Sequence, residues 1–77
     1  MTEKNLLKRV NMDPKIMLGK PVIKGTRLTV EIILEKLAFG ATYEDLMESY
    51  PFLKKDDIRA AVLYASKAVA AEEIFAA

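Results

Sequence analysis

Helical periodicity that starts near Thr29 and breaks at Gly40 and Pro51 is the sequence feature that most limits what this chain can form. In each of the three runs, apolar residues recur every three or four positions, which predicts helices rather than strands. Thr29 and Thr42 stand where the first two helices need an N-cap, and an acidic residue follows Thr42 by three positions, as in a capping box. Glycine commonly ends a helix and proline stops one. The sequence therefore predicts a mainly α fold.

The apolar faces of these three helices are expected to form the core. The first face holds Val30, Ile33, Leu34, Leu37 and Ala38, and the second holds Tyr43, Leu46, Met47 and Tyr50. The third helix is longer, from about Lys54, and its face holds Ile58, Ala61, Val62, Ala65 and Val69. This order is compatible with a helix-turn-helix domain and also with a plain three-helix bundle.

The residues before the helices indicate a short, basic β-element. We expect a strand over residues 6–10, a turn at Asp13-Pro14, and two extended runs on either side of Lys24-Gly25. Gly25 can supply the positive φ that a type II turn needs at its third position. The chain is therefore divided into an N-terminal β-element or arm of residues 1–28 and a three-helix unit of residues 29–77, in one compact domain.

Composition limits how such a domain can be stabilised. The chain has 77 residues, of which 52% are hydrophobic and 30% charged, as in a globular domain, and it has neither cysteine nor histidine. Disulfides and Cys/His zinc sites are therefore excluded, and a core of this size is only marginally sufficient. We therefore expect a homodimer or a bound partner, and no metal or cofactor. Because neither a signal peptide nor a membrane-spanning run is found, we also expect a cytoplasmic protein that does not enter a membrane.

The segment GKPVIKGTR, residues 19–27, is the strongest candidate for a binding site. Residues 1–27 hold seven basic and two acidic residues, a charge of +5, whereas the rest holds five basic and nine acidic residues, a charge of −4. The asymmetry suggests an anionic partner, although a solvated surface explains it equally well. A Walker loop is excluded because Gly25 is followed by threonine rather than lysine. With no histidine or cysteine and no base beside a hydroxyl, an enzyme is not expected.

Basic side chains on this segment and at the start of the third helix are the candidates for contact with DNA phosphates. The predicted contacts are Lys20, Lys24, Arg27, Lys54, Lys55 and Arg59. Asp56 and Asp57 in the same helix oppose binding through repulsion. A charged edge strand that resists aggregation is the alternative interpretation of the segment.

A second apolar stripe on the third helix indicates a protein interface. It comprises Ala60, Leu63, Tyr64, Ala71, Ile74 and Phe75. A helix that packs on two others should not be apolar on both sides, although a broad core would also produce this pattern. The predicted partner or dimer contacts are Val22, Ile23, Leu63, Tyr64, Ile74 and Phe75.

The segment GKPVIKGTR followed by TVEIILEKLAFGATYEDLMESYPFLKKDDIRAAVLYA resembles the domain-of-unknown-function family 433, from about Asn11 to Ala65. The resemblance implies a three-helix, homeodomain-like helix-turn-helix core preceded by a short β-element. It also implies a small prokaryotic protein that acts as an antitoxin and is paired with a PIN-like nuclease toxin. Residues 54–64 would then form the recognition-helix region. Lys54 departs from the family pattern, which often has a capping threonine or serine at this place.

These observations together predict a small, non-enzymatic, antitoxin-like protein that dimerises, binds double-stranded DNA at its own operator and neutralises a PIN-like toxin. The alternative is a protein-interaction module whose helix-turn-helix does not bind DNA. A single-stranded RNA reader is disfavoured, because Tyr43 and Tyr50 are expected to be buried and no exposed aromatic platform is evident.

Overall fold

A computed structural model describes the backbone of residues 2–76 and the side chains of residues 2–71. In chain order the elements are α1 (Glu3–Leu7), β1 (Val10–Asn11), a 3-10 turn (Met17–Gly19), β2 (Val22–Ile23), α2 (Val30–Ala38), α3 (Tyr43–Ser49) and α4 (Lys55–Ala76). The strands form one two-stranded antiparallel sheet, so the described chain is mainly helical, as predicted.

Both predicted N-caps are confirmed. The Thr29 hydroxyl accepts the backbone N–H of Ile32 at 3.2 Å and starts α2. At α3 the Thr42 hydroxyl accepts the Asp45 N–H at 3.0 Å, and the Asp45 carboxylate accepts the Thr42 N–H at 2.9 Å, which completes a capping box. The backbone N–H of Thr42, followed by its side chain, lowers the pKa of the Asp45 carboxyl. Gly40, with φ of +96°, ends α2 in the left-handed conformation that glycine adopts readily.

The turn after β2 also has the predicted geometry. The Ile23 carbonyl accepts the Thr26 N–H at 3.0 Å, and Gly25 lies at the third position with φ of +80°. The sheet pairs Val10 with Ile23 and Asn11 with Val22. The turn therefore projects from the end of β2 just before α2.

The sheet is part of the core rather than a separate arm. Val22 and Ile23 are 0% and 2% exposed. Ile23 packs in one cluster with the buried side chains Leu28, Val30, Ile33, Leu46, Leu53, Ile58 and Ala61. The assignment of Val22 and Ile23 to a partner interface is therefore wrong, because both side chains lie inside the monomer.

The strand predicted over residues 6–10 is also wrong, since its first half belongs to α1. The Thr2 hydroxyl accepts the Asn5 N–H at 3.1 Å and caps this helix, and Leu6 is buried. A short apolar run such as Leu6-Leu7 fits a helix and a strand equally well, so local sequence did not distinguish them. Strand geometry begins only at Val10.

The buried face of α4 is rotated from the predicted one. Ile58, Ala60 and Ala61 are fully buried, whereas Val62 and Val69, which were expected in the core, are exposed. The reason is that α1 packs against α4 and covers the side of the helix that includes Ala60. Residues 66–71 of α4 are all exposed, although Lys67 still pairs with Glu3 of α1 at 2.9 Å.

Candidate nucleic-acid interface

Arg9 joins the N-terminal segment to the start of α4. Its guanidinium donates to the Asp57 carboxylate at 3.0 Å, and its backbone carbonyl accepts the Lys24 N–H at 2.8 Å. Asp57 is only 7% exposed, and its second oxygen accepts the backbone N–H of Lys54 at 2.9 Å. Asp57 therefore caps α4 from within the helix, in place of a capping side chain at Lys54, and Arg9 holds the Gly25 turn beside that helix end.

This network also neutralises the two acidic residues that oppose DNA binding. Arg9 compensates the charge of Asp57 and approaches Asp56 at 3.9 Å. Arg59 pairs with Asp56 at 3.4 Å. The start of α4 therefore presents much less negative charge than its sequence suggests.

The six predicted DNA contacts fall into two groups. Lys20 forms an exposed ion pair with Glu31 at 3.3 Å, and Arg59 pairs with Asp56 as described. The other four are exposed, and within the described side chains they form no ion pair: Lys24, Arg27, Lys54 and Lys55. These four carry charge that is available to an anion.

An open groove of about 560 Å³ separates the Gly25 turn from the chain between α3 and α4. One wall is formed by the turn with Arg27, and the other by Tyr50 and Phe52, with Ile32 of α2 between them. Phe52 is 51% exposed, and its ring centroid lies 6.0 Å from that of Tyr50 at an interplanar angle of 58°.

Phe52 is exposed for a local reason that the sequence analysis missed. The Tyr50 carbonyl accepts the Leu53 N–H at 2.8 Å, so Pro51 and Phe52 occupy the two central positions of a tight turn. The side chain at the third position of such a turn points away from the core. Pro51 is therefore the signal that could have predicted an exposed aromatic ring here.

Arg27 and Phe52 line the same groove, and Arg9 connects the backbone of Lys24 to Asp57 in the first turn of α4, so the Gly25 turn and the start of α4 are adjacent. We refer to this region as the basic-aromatic surface. It comprises Lys24, Arg27, Phe52, Lys54 and Lys55.

Two residues of the predicted partner stripe of α4, Leu63 and Tyr64, lie against the N-terminal segment, whereas Ala71 is exposed. Leu63 lies beside Leu6, and the Tyr64 hydroxyl approaches the Met12 sulfur at 3.5 Å. Both Leu63 and Tyr64 are half-buried, and Ala60 of the same stripe is in the core. The remaining predicted contacts, Ile74 and Phe75, lie outside the side chains that the structure describes.

The described part of the chain contains neither a metal-binding cluster nor a membrane-spanning helix. No group of three acidic side chains is placed as a metal would require within residues 2–71. None of the described helices combines the length and apolar character needed to cross a membrane.

Comparison with known proteins identifies the family. The model of the family described as "Protein of unknown function (DUF433)" matches residues 10–65. The chain belongs to the DUF433 family. This confirms the resemblance found in the sequence, over nearly the same residues.

One relative by sequence and one solved structure are similar to this DUF433 chain. The chain is 38% identical over 56 residues to the uncharacterized protein y4eO of Sinorhizobium fredii, and the match covers 73% of this chain and 25% of that protein. A crystal structure of a DUF433 member from Anabaena variabilis superposes with a TM-score of 0.75 at 26% identity, and covers 83% of this chain and 63% of the other. The chain thus spans a quarter of the length of the first relative and 63% of the second.

Proposed function

We propose that this DUF433 protein is a small, non-enzymatic, antitoxin-like protein that binds DNA. The observation that supports this most strongly is the basic-aromatic surface, where four cations on the Gly25 turn and at the start of α4 form no ion pair with the described side chains. The neutralised carboxylates of Asp56 and Asp57 remove the main electrostatic objection to DNA at this place. Phosphate contacts by such cations release counterions and so stabilise the complex.

The helices α2, α3 and α4 would serve as a homeodomain-like helix-turn-helix, with α4 as the recognition helix. The tight turn at Pro51 joins α3 to α4, and the exposed residues at the start of α4 include Lys55 and Arg59. In this mode Lys54, Lys55 and Arg59 would face the DNA, and Lys24 and Arg27 would hold the adjacent backbone. Arg59 would exchange its contact with Asp56 for a phosphate or a base edge.

Operator binding would require two copies, because one small surface provides a short DNA footprint and a dimer sets the spacing of two half-sites. Neutralisation of a PIN-like nuclease toxin is supported by the family resemblance of the sequence alone.

A protein-interaction module that does not bind DNA is the second candidate. The observation that favours it is an apolar groove between the later turns of α4 and the start of α2, lined by Val69, Ala65 and Leu34, where Val69 is 56% exposed. An uncovered apolar groove of this kind fits a partner chain better than solvent.

The experiment that tests the proposal measures affinity for the duplex upstream of the gene and for an unrelated duplex at two salt concentrations. We expect the upstream duplex to bind more tightly, and binding to weaken steeply as salt rises. The double change Lys24→Ala with Arg27→Ala should weaken binding to both duplexes and reduce the slope of log K against log salt by about 2, since each lost phosphate contact contributes roughly 0.9.

A matched control removes the same number of positive charges from lysines that form ion pairs. Lys20 and Lys67 are each held by a carboxylate, Glu31 at 3.3 Å and Glu3 at 2.9 Å. The double change Lys20→Ala with Lys67→Ala should leave the salt slope within experimental error. Equal losses in the two double variants would mean that net charge alone attracts DNA, and undetectable binding at low salt would refute the proposal.

A further inference from the structure

We infer that the groove between Arg27 and Phe52 binds an unstacked nucleobase, so that the protein holds single-stranded or locally opened DNA. The inference rests on the proposed DNA-binding surface, but it does not depend on recognition of an operator. It assigns a ligand to the groove. Contacts between the basic side chains and the phosphates of a duplex would leave this groove empty.

The walls of the groove suit a flat, aromatic ligand. The rings of Phe52 and Tyr50 meet at 58°, and Ile32 and Leu28 complete the apolar lining. Phe52 lines the groove and is 51% exposed, so about half of its surface is accessible to a ligand from solvent. A base that stacks on such a ring gains about 1–3 kcal/mol, whereas a base inside a duplex is already stacked on its neighbours.

The charge around the groove suits the phosphates on either side of that base. Arg27 is the charged side chain among the described residues that line it. Lys24 precedes the turn on one side, and Lys54 follows Phe52 by two residues on the other. A strand that placed one base in the groove would therefore meet cations on both sides of it.

Polar groups in the lining give little means of telling one base from another. The Thr26 hydroxyl donates to the Ile23 carbonyl at 2.8 Å and accepts the Leu28 N–H at 3.0 Å, so its hydrogen bonds are already made. The Tyr50 hydroxyl is the other side-chain group of the lining that can form a neutral hydrogen bond. Binding should therefore depend on stacking and tolerate any base.

Phe39 provides a natural comparison within the same chain. It is 86% exposed, more than Phe52, but the groove beside it between α2 and α3 is lined by two carboxylates, Glu35 and Asp45, and one cation, Lys36, so its charge is net negative. These carboxylates would repel a DNA strand. An effect of Phe52 that Phe39 does not share therefore cannot come from exposed aromatic surface alone.

The first test uses fluorescence, because the chain contains no tryptophan. Phe52→Trp places a reporter in the groove, and Phe39→Trp places one in the acidic control position. On titration with a short oligothymidylate, emission should be quenched in Phe52→Trp and unchanged in Phe39→Trp. Equal quenching in both variants, or none in either, would overturn the inference.

The second test measures affinity with Phe52→Ala and Phe39→Ala, both first shown by circular dichroism to be folded. Phe52→Ala should weaken oligothymidylate binding about tenfold, equivalent to roughly 1.4 kcal/mol, and Phe39→Ala should not. A closed duplex of the same length should bind the native protein and Phe52→Ala alike. Loss of duplex binding alone in Lys24→Ala with Arg27→Ala, and no effect of Phe52→Ala on any DNA, would support the proposed function and overturn this inference.

A protein segment is the competing occupant of an apolar groove with a cationic rim. A peptide with the acidic and aromatic sequence of residues 70–76, AAEEIFA, serves as the probe. If this peptide quenched the Phe52→Trp reporter at a lower concentration than the oligonucleotide, the groove would be a protein-docking site and the inference would be wrong.

Discussion

Replacing Asp57 by alanine should destabilise the protein by about 2 kcal/mol, although the residue carries a charge that sequence alone places on a helix surface. The carboxylate makes two hydrogen bonds, to the Lys54 N–H at 2.9 Å and to Arg9 at 3.0 Å. Loss of a helix cap costs about 1 kcal/mol. The bond to Arg9 adds about another 1 kcal/mol rather than the larger value of a buried pair, because the Arg9 side chain is 31% exposed.

The assay is urea unfolding followed by circular dichroism, together with thermal melting. A domain of this size should lose roughly 4–8 °C in Tm for each 1 kcal/mol, so we expect a fall of about 10 °C. Asp56→Ala is the control, since this neighbour is more exposed and only its ion pairs, at 3.4 and 3.9 Å, would be lost. Its free energy of unfolding should change by less than about 0.5 kcal/mol.

A double-mutant cycle isolates the pair itself. Arg9→Ala and Asp57→Ala should together cost about 1 kcal/mol less than the sum of the two single changes, because either change alone already breaks the bond. If the two effects simply added, or if Asp56→Ala destabilised as much as Asp57→Ala, the network would not stabilise the start of α4 as we argue.

Two further perturbations test the core and the helix caps. Ile33→Ala removes a fully buried side chain and should lower the free energy of unfolding in urea by about 3 kcal/mol. Ile32→Ala, at the neighbouring exposed position, should lower it by less than about 1 kcal/mol. Comparable losses in the two variants would contradict the orientation of α2. Thr42→Ala removes the hydroxyl of the capping box and should raise the pKa of Asp45 only part of the way toward its ordinary value in an NMR titration, because the backbone N–H of Thr42, the larger cause of the lowering, remains. An unchanged pKa would contradict a contribution from the hydroxyl. Because folding lowers the pKa of Asp45, its carboxylate stabilises the native protein above that ordinary value. The contribution is lost as pH falls through the lowered pKa, and Thr42→Ala should reduce this dependence.

Local signals in the sequence predicted the middle of the fold well. The caps at Thr29 and Thr42 act within three residues of themselves, and the φ that Gly25 and Gly40 adopt depends on little beyond their own turns. These elements therefore needed no knowledge of the rest of the chain. The exposure of Lys24 and Arg27 likewise followed from a turn between two extended runs, and their contact with DNA stays a prediction.

Contacts between distant parts of the chain could not be predicted in the same way. Arg9 and Asp57 are 48 residues apart, and neither belongs to a local pattern that would suggest the other. The packing of α1 on α4 decided which side of α4 is buried, so Val62 was misplaced and Leu63 was taken for an interface. The exposure of Phe52 was not predicted, because helical periodicity carries no information about residues in the turn between two helices.

The same long-range packing imposes an order on biosynthesis. The segment with α1 and β1 is synthesised before α4 but packs against it, and Ile23 shares a core with Ile58 and Ala61 of that helix. A nascent chain that has reached only Leu53 still lacks Ile58 and Ala61, so its apolar strand residues remain open to chaperones and proteases. Folding of this domain is therefore completed only after α4 has left the ribosome.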